Sequence, residues 1–194
     1  MIEIAVIGAS WGGLNALTTV LSGLVCDELR ATVVIAQHRS PESSQSVLPQ
    51  LLGESSSAPV REASDKETIE PATIYLAPPD YHLLIEDGHF ALATDARVQF
   101  ARPSIDVLFE TAAEVYGDRA LGVILTGANA DGAAGLRSIR ERGGLTVVQD
   151  PATAERSAMP AAALAATPVD AVLPLEEIGP FLVRHCCGEP ARVR

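Results

Sequence analysis

Three polar residues, far apart in the chain, each follow an apolar run that reads as a buried strand. Ser10 follows Ile4-Ala5-Val6-Ile7-Gly8-Ala9, and His38 follows Ala31-Thr32-Val33-Val34-Ile35-Ala36-Gln37. Asp131 lies a few residues beyond Leu121-Gly122-Val123-Ile124-Leu125. A serine, a histidine and an aspartate are the types required for a nucleophile, its general base and the group that orients the base. Around Ser10, the stretch Gly8-Ala9-Ser10-Trp11-Gly12-Gly13-Leu14 ends a strand in a tight turn and opens a helix. That turn lifts the hydroxyl above a sheet edge and aims the first helix amides at negative charge. Taken alone, the stretch suits a nucleophile on a strand-to-helix elbow and a glycine-rich phosphate cradle equally well. His38 and Asp131, each after its own strand, tip the reading toward the elbow. An acidic residue expected after the second strand of a dinucleotide site is replaced by His38, which argues against that alternative. The order Ser, His, Asp differs from the trypsin-like, subtilisin-like and α/β-hydrolase orders, so the arrangement would be a separate convergence.

The elements that must position these residues are legible in outline. Continuous apolar runs at 3–7, 31–36 and 121–125 are the mark of parallel strands covered on both faces. Helices are expected over 12–23, from Pro41-Glu42 through about Leu52, through about Tyr116 with Ser104 as N-cap and Asp106 in the first turn, and after Gly132 to about Arg142 before Gly143-Gly144. Further strands are expected at Val60, 73–77, 145–149 and 171–173. Helices from Pro160 and from Glu176 complete the chain. His82 to Ile85 and Phe90 to Thr94 flank Glu86-Asp87-Gly88-His89, a hairpin signal. The predicted fold is therefore α/β: a doubly wound, mostly parallel, Rossmann-like sheet with helices on both faces and the middle of the chain as an antiparallel hairpin insertion at one edge. In such a sheet ligands bind beyond the carboxyl ends of the strands, so three strand-end residues converge on one edge.

Bulk properties narrow the classes. The chain has 194 residues, 47% hydrophobic and only 4% aromatic, which suits one compact domain with a core of Val, Ile, Leu and Ala. A net charge of −11 argues against nucleic acid or an anionic membrane surface as the partner. No apolar run approaches the roughly 18 residues of a membrane span, and no secretion signal is visible. Cys26, Cys186 and Cys187 have no metal-like spacing, and an ordinary disulfide between the adjacent pair is disfavoured. Reduced cysteines, with Cys26 inert, and a cytoplasmic setting are the expectation. Residues 188–194 are expected to form a flexible tail to a domain spanning 1–187.

Six motifs in chain order carry a family resemblance. They are Gly8-Ala9-Ser10-Trp11-Gly12-Gly13; Gln37-His38; Ile74-Tyr75-Leu76-Ala77-Pro78-Pro79-Asp80-Tyr81-His82-Leu83; and Arg102-Pro103-Ser104-Ile105-Asp106-Val107-Leu108-Phe109. The others are Gly122-Val123-Ile124-Leu125-Thr126-Gly127 with Asp131-Gly132-Ala133-Ala134-Gly135, and Gln149-Asp150 with Met159-Pro160. Together, from about residue 2 to 183, they resemble the catalytic domain of chemotaxis protein-glutamate methylesterases of the CheB type. The resemblance implies hydrolysis of γ-glutamyl methyl esters on the cytoplasmic helices of methyl-accepting chemotaxis receptors, releasing methanol, and weaker deamidation of receptor glutamines. It implies Ser10 as nucleophile, His38 as base, Asp131 as the orienting residue, and oxyanion donors in the backbone amides of Trp11 and Ala128. It implies no metal and no organic cofactor. Members of the family commonly carry a receiver domain before the catalytic strand; this sequence opens at that strand, so a stand-alone enzyme, or one controlled by a regulator or receiver domain in trans, is expected.

The sequence also departs from the family pattern. Trp11 stands where a small Thr or Ala is usual, Gly127-Ala128-Asn129-Ala130-Asp131-Gly132 replaces Gly-Met-Gly-x-Asp-Gly, and Arg39-Ser40-Pro41 replaces Met-Pro. Reshaping of the pocket toward another small ester, or a catalytically weak signalling partner, are the alternatives these changes raise. Arg102 is read either as a contact for carboxylates flanking the substrate or as a structural ion-pair partner, and Met159 as shaping a loop beside the site. Asp131 also suits an N-cap of the helix that follows it. His82 is the competing base, while His89 and His185 read as surface residues.

Overall fold

The computed structural model describes residues 1–26, 28–39 and 47–188. Its centre is a seven-stranded sheet in the order β3-β4-β2-β1-β7-β8-β9. These strands are β1 (Ile4–Ala9), β2 (Thr32–Gln37), β3 (Val60–Glu62), β4 (Ile74–Leu76), β7 (Ala120–Ile124), β8 (Leu145–Gln149) and β9 (Ala171–Leu173). Every neighbouring pair is parallel. The chain goes from β1 to β2, out to the edge strand β3, back to β4 between them, and then crosses to β7 on the other side of β1. The winding therefore reverses at β1, and the crevice beyond its carboxyl end is where a ligand site forms.

Alternation along β1 shows why the strand is apolar without a break. Ala5, Ile7 and Ala9 join one buried cluster, and Ile4 and Val6 join another on the opposite face. The first cluster is closed by α1 (Gly13–Gly23), α2 (Leu48–Gly53) and α6 (Leu175–Cys186), through residues such as Leu17, Leu52 and Leu182. The second is closed by α3 (Ile105–Tyr116), α4 (Ala133–Glu141) and α5 (Ala158–Ala166), through Phe109, Leu136 and Ala163. Helix α2 overlaps the end of the helix expected from Pro41; the expected start lies outside the described residues. Among the described residues, no helix is long and apolar enough to cross a membrane.

Two expectations need correction. The middle of the chain is not wholly an antiparallel insertion: β3 and β4 are parallel members of the main sheet. Only β5 (His82–Glu86) and β6 (His89–Ala93) pair antiparallel, and they form their own two-stranded sheet. Leu83, Ile85 and Phe90 turn its apolar side into the α3 cluster, so the hairpin buries its face on a helix and needs no place at the sheet edge. The cysteines are not all reduced either. Cys26, beyond α1, is bonded to Cys187, beyond α6, while Cys186 is buried and free. Backbone pairing places them together: the amides of Arg30 and Ala31 both donate to the Cys186 carbonyl, and Gly188 donates to that of Glu28. A contact 161 residues apart in sequence leaves no trace in cysteine spacing.

Helices α3 and α4 cross at very close range. A Cβ on Gly135 would stand 2.5 Å from Phe109 Cβ and 3.0 Å from the Asp106 carbonyl oxygen, both rigidly held. Gly135→Ala should therefore force the helices apart and destabilise the protein by about 1–3 kcal/mol, despite alanine's better helix propensity. Urea unfolding of the two proteins checks this, with a lower midpoint expected for the variant.

Candidate active site

Ser10 is the first residue after β1. Its amide donates to the Thr126 carbonyl at 3.0 Å, and its carbonyl accepts from Gly13 N at 2.9 Å and from Gln37 Nε2 at 2.8 Å. These bonds tie the turn to β7's exit and to the end of β2. Gly12, at φ +77°, caps α1 in the left-handed region, and a Cβ there would meet the Glu155 carboxylate at 2.6 Å. At Gly13 a Cβ would lie 1.9 Å from Gln37 Oε1. The glycines after the serine thus serve close side-chain approach, which answers the phosphate-cradle alternative with a packing reason.

His38 is the first residue after β2, and its amide donates to the Ala9 carbonyl at 3.0 Å, extending the β1–β2 ladder. Its Nδ1 lies 3.2 Å from Ser10 Oγ and its Nε2 lies 2.7 Å from Asp131 Oδ2. With a carboxylate accepting at Nε2, the ring proton belongs there, and Nδ1 turns a lone pair toward the serine. The chain thus brings together all three strand-end residues.

Asp131 is fully buried. Oδ2 accepts from His38 Nε2 and from the Ile105 amide, the latter at 2.7 Å. Oδ1 accepts from the Ser104 hydroxyl and the Asp106 amide, each at 2.9 Å. Burial by itself would raise this carboxyl's pKa, but the hydrogen bond from His38 and the Asp106 and Ile105 amides hold it below the usual carboxylate range. The expected capping role belongs to another helix: the Asp131 side chain takes the first amides of α3, and α4, which follows it, has no cap from its own N-cap residue, Gly132. That position sits at φ +95°. Ser104 caps α3 as expected, through Val107 N at 3.4 Å.

Asp106 supplies what α4 lacks. Its Oδ1 accepts from the Gly132 amide at 2.9 Å and the Gly135 amide at 2.7 Å. Burial pushes its pKa up to about 6; the Gly135 and Gly132 amides resist the rise, while the charges of Asp131 and Glu110 add to it.

The other residues singled out in the sequence occupy supporting places. Trp11 is 59% exposed beside the serine, with its indole nitrogen donating to Glu155 Oε1 at 2.9 Å and the Arg156 guanidinium 5.5 Å over its ring. Its carbonyl accepts from the Thr126 hydroxyl at 2.9 Å. The loop before α5 braces the stretch holding Ala128: Gly127 N donates to the Arg156 carbonyl and Met159 N to the Gly127 carbonyl, both at 3.0 Å. Met159 is 1% exposed and packs against Gly127, so it supports the loop from beneath. Arg102 pairs with Asp80 at 2.8 Å and donates to the carbonyls of Thr94 and Asp95. It also lines a cavity of about 330 Å³ that opens beside His38, with Arg97 and Phe100. His82, the competing base, is buried and spans the Ala96 carbonyl and the Ser104 amide, so it anchors the hairpin exit to α3.

Gln37, Gln149 and Asn129 take part in the site with no role read from the sequence, and Asp106 does more than its sequence reading implies. Gln37 and Gln149 end β2 and β8, and Gln149 Oε1 accepts the Thr126 amide at 2.8 Å. The strand-end position that marked His38 also marked them. Asp106 was assigned only to its own helix. Asn129 has its Oδ1 3.3 Å from the Asp131 amide and its Nδ2 3.5 Å from His38 Nδ1. Asn129 is not among the described non-glycine residues with positive φ, so this loop tolerates loss of the family's glycine without left-handed strain. Of the Arg39-Ser40-Pro41 departure, only Arg39 lies within the described residues; it pairs with Glu62 at 3.1 Å.

Chemically, this is an arrangement able to activate a serine for attack on an ester or amide carbonyl at the switch point of a parallel α/β sheet. A family model described as CheB methylesterase matches residues 5–182. A putative protein-glutamate methylesterase/protein-glutamine glutaminase of Leptospira interrogans is 50% identical over 183 residues, covering 94% of each chain. A protein-glutamate methylesterase/protein-glutamine glutaminase of Moorella thermoacetica is 43% identical over 96% of this chain, which spans 45% of that longer relative. The crystal structure of the Thermotoga maritima CheB methylesterase catalytic domain aligns at a TM-score of 0.88 and 31% identity, over 95% of this chain and 98% of that one. The chain belongs to the CheB methylesterase family.

The raised pKa of Asp106 fixes the sign of one pH effect. The native state binds this proton more tightly than an unfolded aspartate at 3.8, so the group's contribution to stability falls as pH rises from about 4 to about 6. Asp106→Asn carries no such proton. Its urea midpoint should therefore gain on that of the unsubstituted protein across that interval and hold a constant difference above it.

Proposed function

We propose that the protein hydrolyses γ-methyl esters of glutamate on the cytoplasmic helices of chemoreceptors and deamidates receptor glutamines more slowly. One observation carries this reading: Ser10, His38 and Asp131 form a continuous hydrogen-bonded line, at 3.2 and 2.7 Å, in a chain of this family. The names of its relatives supply the substrate class.

In this mechanism Ser10 Oγ gives its proton to His38 Nδ1 as it attacks the ester carbonyl, and the imidazolium is stabilised by Asp131 through Nε2. The oxyanion is met by the amides of Trp11 and Ala128. Among the described residues neither amide donates to another group of the chain, and each donor is worth roughly 2.7–4 kcal/mol of barrier. His38 returns the proton to methoxide, methanol leaves, and a water deprotonated by His38 then cleaves the acyl-serine. Thr126 fixes the Trp11 side of this oxyanion site, and Met159 supports the Ala128 side through Gly127. In the cavity beside His38, Arg97 and Arg102 share the Asp80 carboxylate, and Arg102 gives its remaining donors to the Thr94 and Asp95 carbonyls, so Arg102 shapes the wall of the approach.

The exposed Trp11 favours a second reading for substrate range, in which its indole narrows the approach and admits only small esters. Residues 1–187 are proposed as the catalytic unit, and a cytoplasmic setting follows from the receptor helices as substrate. The cysteines no longer support that setting, since Cys26 and Cys187 are paired.

Ser10→Ala should lower methanol release from a methylated receptor fragment by about 10³-fold or more while leaving the fold intact. Full release by the variant would falsify the nucleophile assignment. Release from small methyl esters but not from receptor fragments, by the unsubstituted protein, would move the substrate to the second reading.

A further inference from the structure

The mechanism uses Asp131 and leaves a second buried carboxylate beside it without a task. We propose that Asp106 is a positioning residue for the reaction, holding the Asp131 carboxylate at the height and tilt from which it orients His38. The inference rests on the catalytic reading of Ser10, His38 and Asp131.

The geometry is a reciprocal exchange between two helices. Asp131 immediately precedes α4 but spends its carboxylate on the first turn of α3, taking the Ile105 and Asp106 amides. Asp106 belongs to the first turn of α3 but spends its carboxylate on the first turn of α4, taking the Gly132 and Gly135 amides. Each helix start is capped by the carboxylate of the other. Asp106 stands on both sides of the exchange, because its own amide binds Asp131 Oδ1 while its side chain binds the residue next to Asp131 in the chain. A rotation of Asp131 toward or away from His38 would stretch one bond or the other. Asp106 is 7% exposed, so water does not readily replace these contacts.

Glycine at 135 makes the exchange possible. A side chain there would press on the Asp106 backbone at 3.0–3.1 Å and part the helices. At 132 a Cβ would collide with Ile105 and Ile124. Other ionisable groups bear on the pair. Glu110 lies one turn along α3 and itself feels Arg137 of α4, His38 lies beyond Asp131, and His82 of β5 accepts the Ser104 amide. Of these, Asp106 alone touches both Asp131 and the first amides of α4. Its proton uptake below about pH 6 adds a handle, since the neutral acid is a weaker acceptor for the Gly132 and Gly135 amides.

The experiment compares Asp106→Asn, Asp106→Ala and Asp131→Ala in the full chain, with methanol release from a γ-methyl-glutamyl receptor peptide followed from pH 5 to pH 9. Asp106→Asn keeps an acceptor for both amides and does not titrate, so it is the variant that keeps its fold and decides the matter. Its kcat should fall about tenfold at pH 8 with KM within twofold, the scale expected when a catalytic group is slightly misplaced. The inflection near pH 6 in the acid limb of the kcat profile should disappear. A folded Asp106→Ala should lose more than the asparagine variant. A purely structural role would move the urea midpoint and leave kcat and its pH profile alone. Asp106→Asn with unchanged kcat across the range, or with a loss confined to KM, overturns the inference. Full activity in Asp131→Ala would instead overturn the catalytic reading on which it rests.

Discussion

A fully buried carboxylate has to be met by donors on every side, and Asp131 sets that demand at the heart of this protein. An unpartnered charge in such a place would cost several kcal/mol. It is met by a hydroxyl, two amides at the start of a helix, and an imidazole. Three of those donors come from residues 104–106, so α3 has to begin directly against the loop leaving β7. The hairpin is placed by the same demand, since His82 of β5 fastens the Ser104 amide. The fourth donor is the proposed base, held because it is also a ligand of the carboxylate. Stability and the reactive geometry draw on one set of bonds here.

Around that point the fold uses close contact more than flexibility. Helices α3 and α4 touch at Gly135, and Ile105 presses on the bare Cα of Gly8, where a Cβ would lie 2.4 Å away. The start of α1 lies against Gln37 and Glu155 at Gly13 and Gly12. Each glycine permits a neighbour to reach the edge where the strands end. The loop before α5 closes the other side, with Gln149, Arg156 and Met159 holding Thr126 and Gly127. A serine on the switch-point strand is thereby fixed from both neighbouring strands, as the proposed nucleophile requires.

The features that set this chain apart from the family pattern lie on the rim of the site. Trp11 is held edge-on by Glu155 and covered by Arg156, which gives a large aromatic a defined orientation beside the serine at little entropic cost. Asn129 occupies a glycine position without adopting a conformation that only glycine favours. It turns its amide toward the Nδ1 that also faces Ser10. Asn129 also accepts the Asp131 amide, so this change reaches the residue beneath it, while Trp11 stays at the surface beside the serine.

The strands, most of the helices and the three residues at the strand ends are legible in the order of the amino acids alone. Unbroken apolar runs, strand-end polar residues and glycine turns are local signals, and local signals survive in one dimension. The sequence also placed Ser104 and Asp106 at the start of α3 correctly. It could not say whose amides a carboxylate would take. Asp131 reads as a cap and Asp106 as a first-turn residue, each for its own helix, because such propensities are properties of nearby residues. The exchange of partners depends on two helix starts meeting across 25 residues of chain. The Cys26–Cys187 pairing, the parallel placement of β3 and β4, and the internal saturation of Arg102 were undetermined for the same reason. Hydrogen bonds and disulfides are short-range in space and indifferent to distance along the chain, so which groups meet depends on how the whole chain packs.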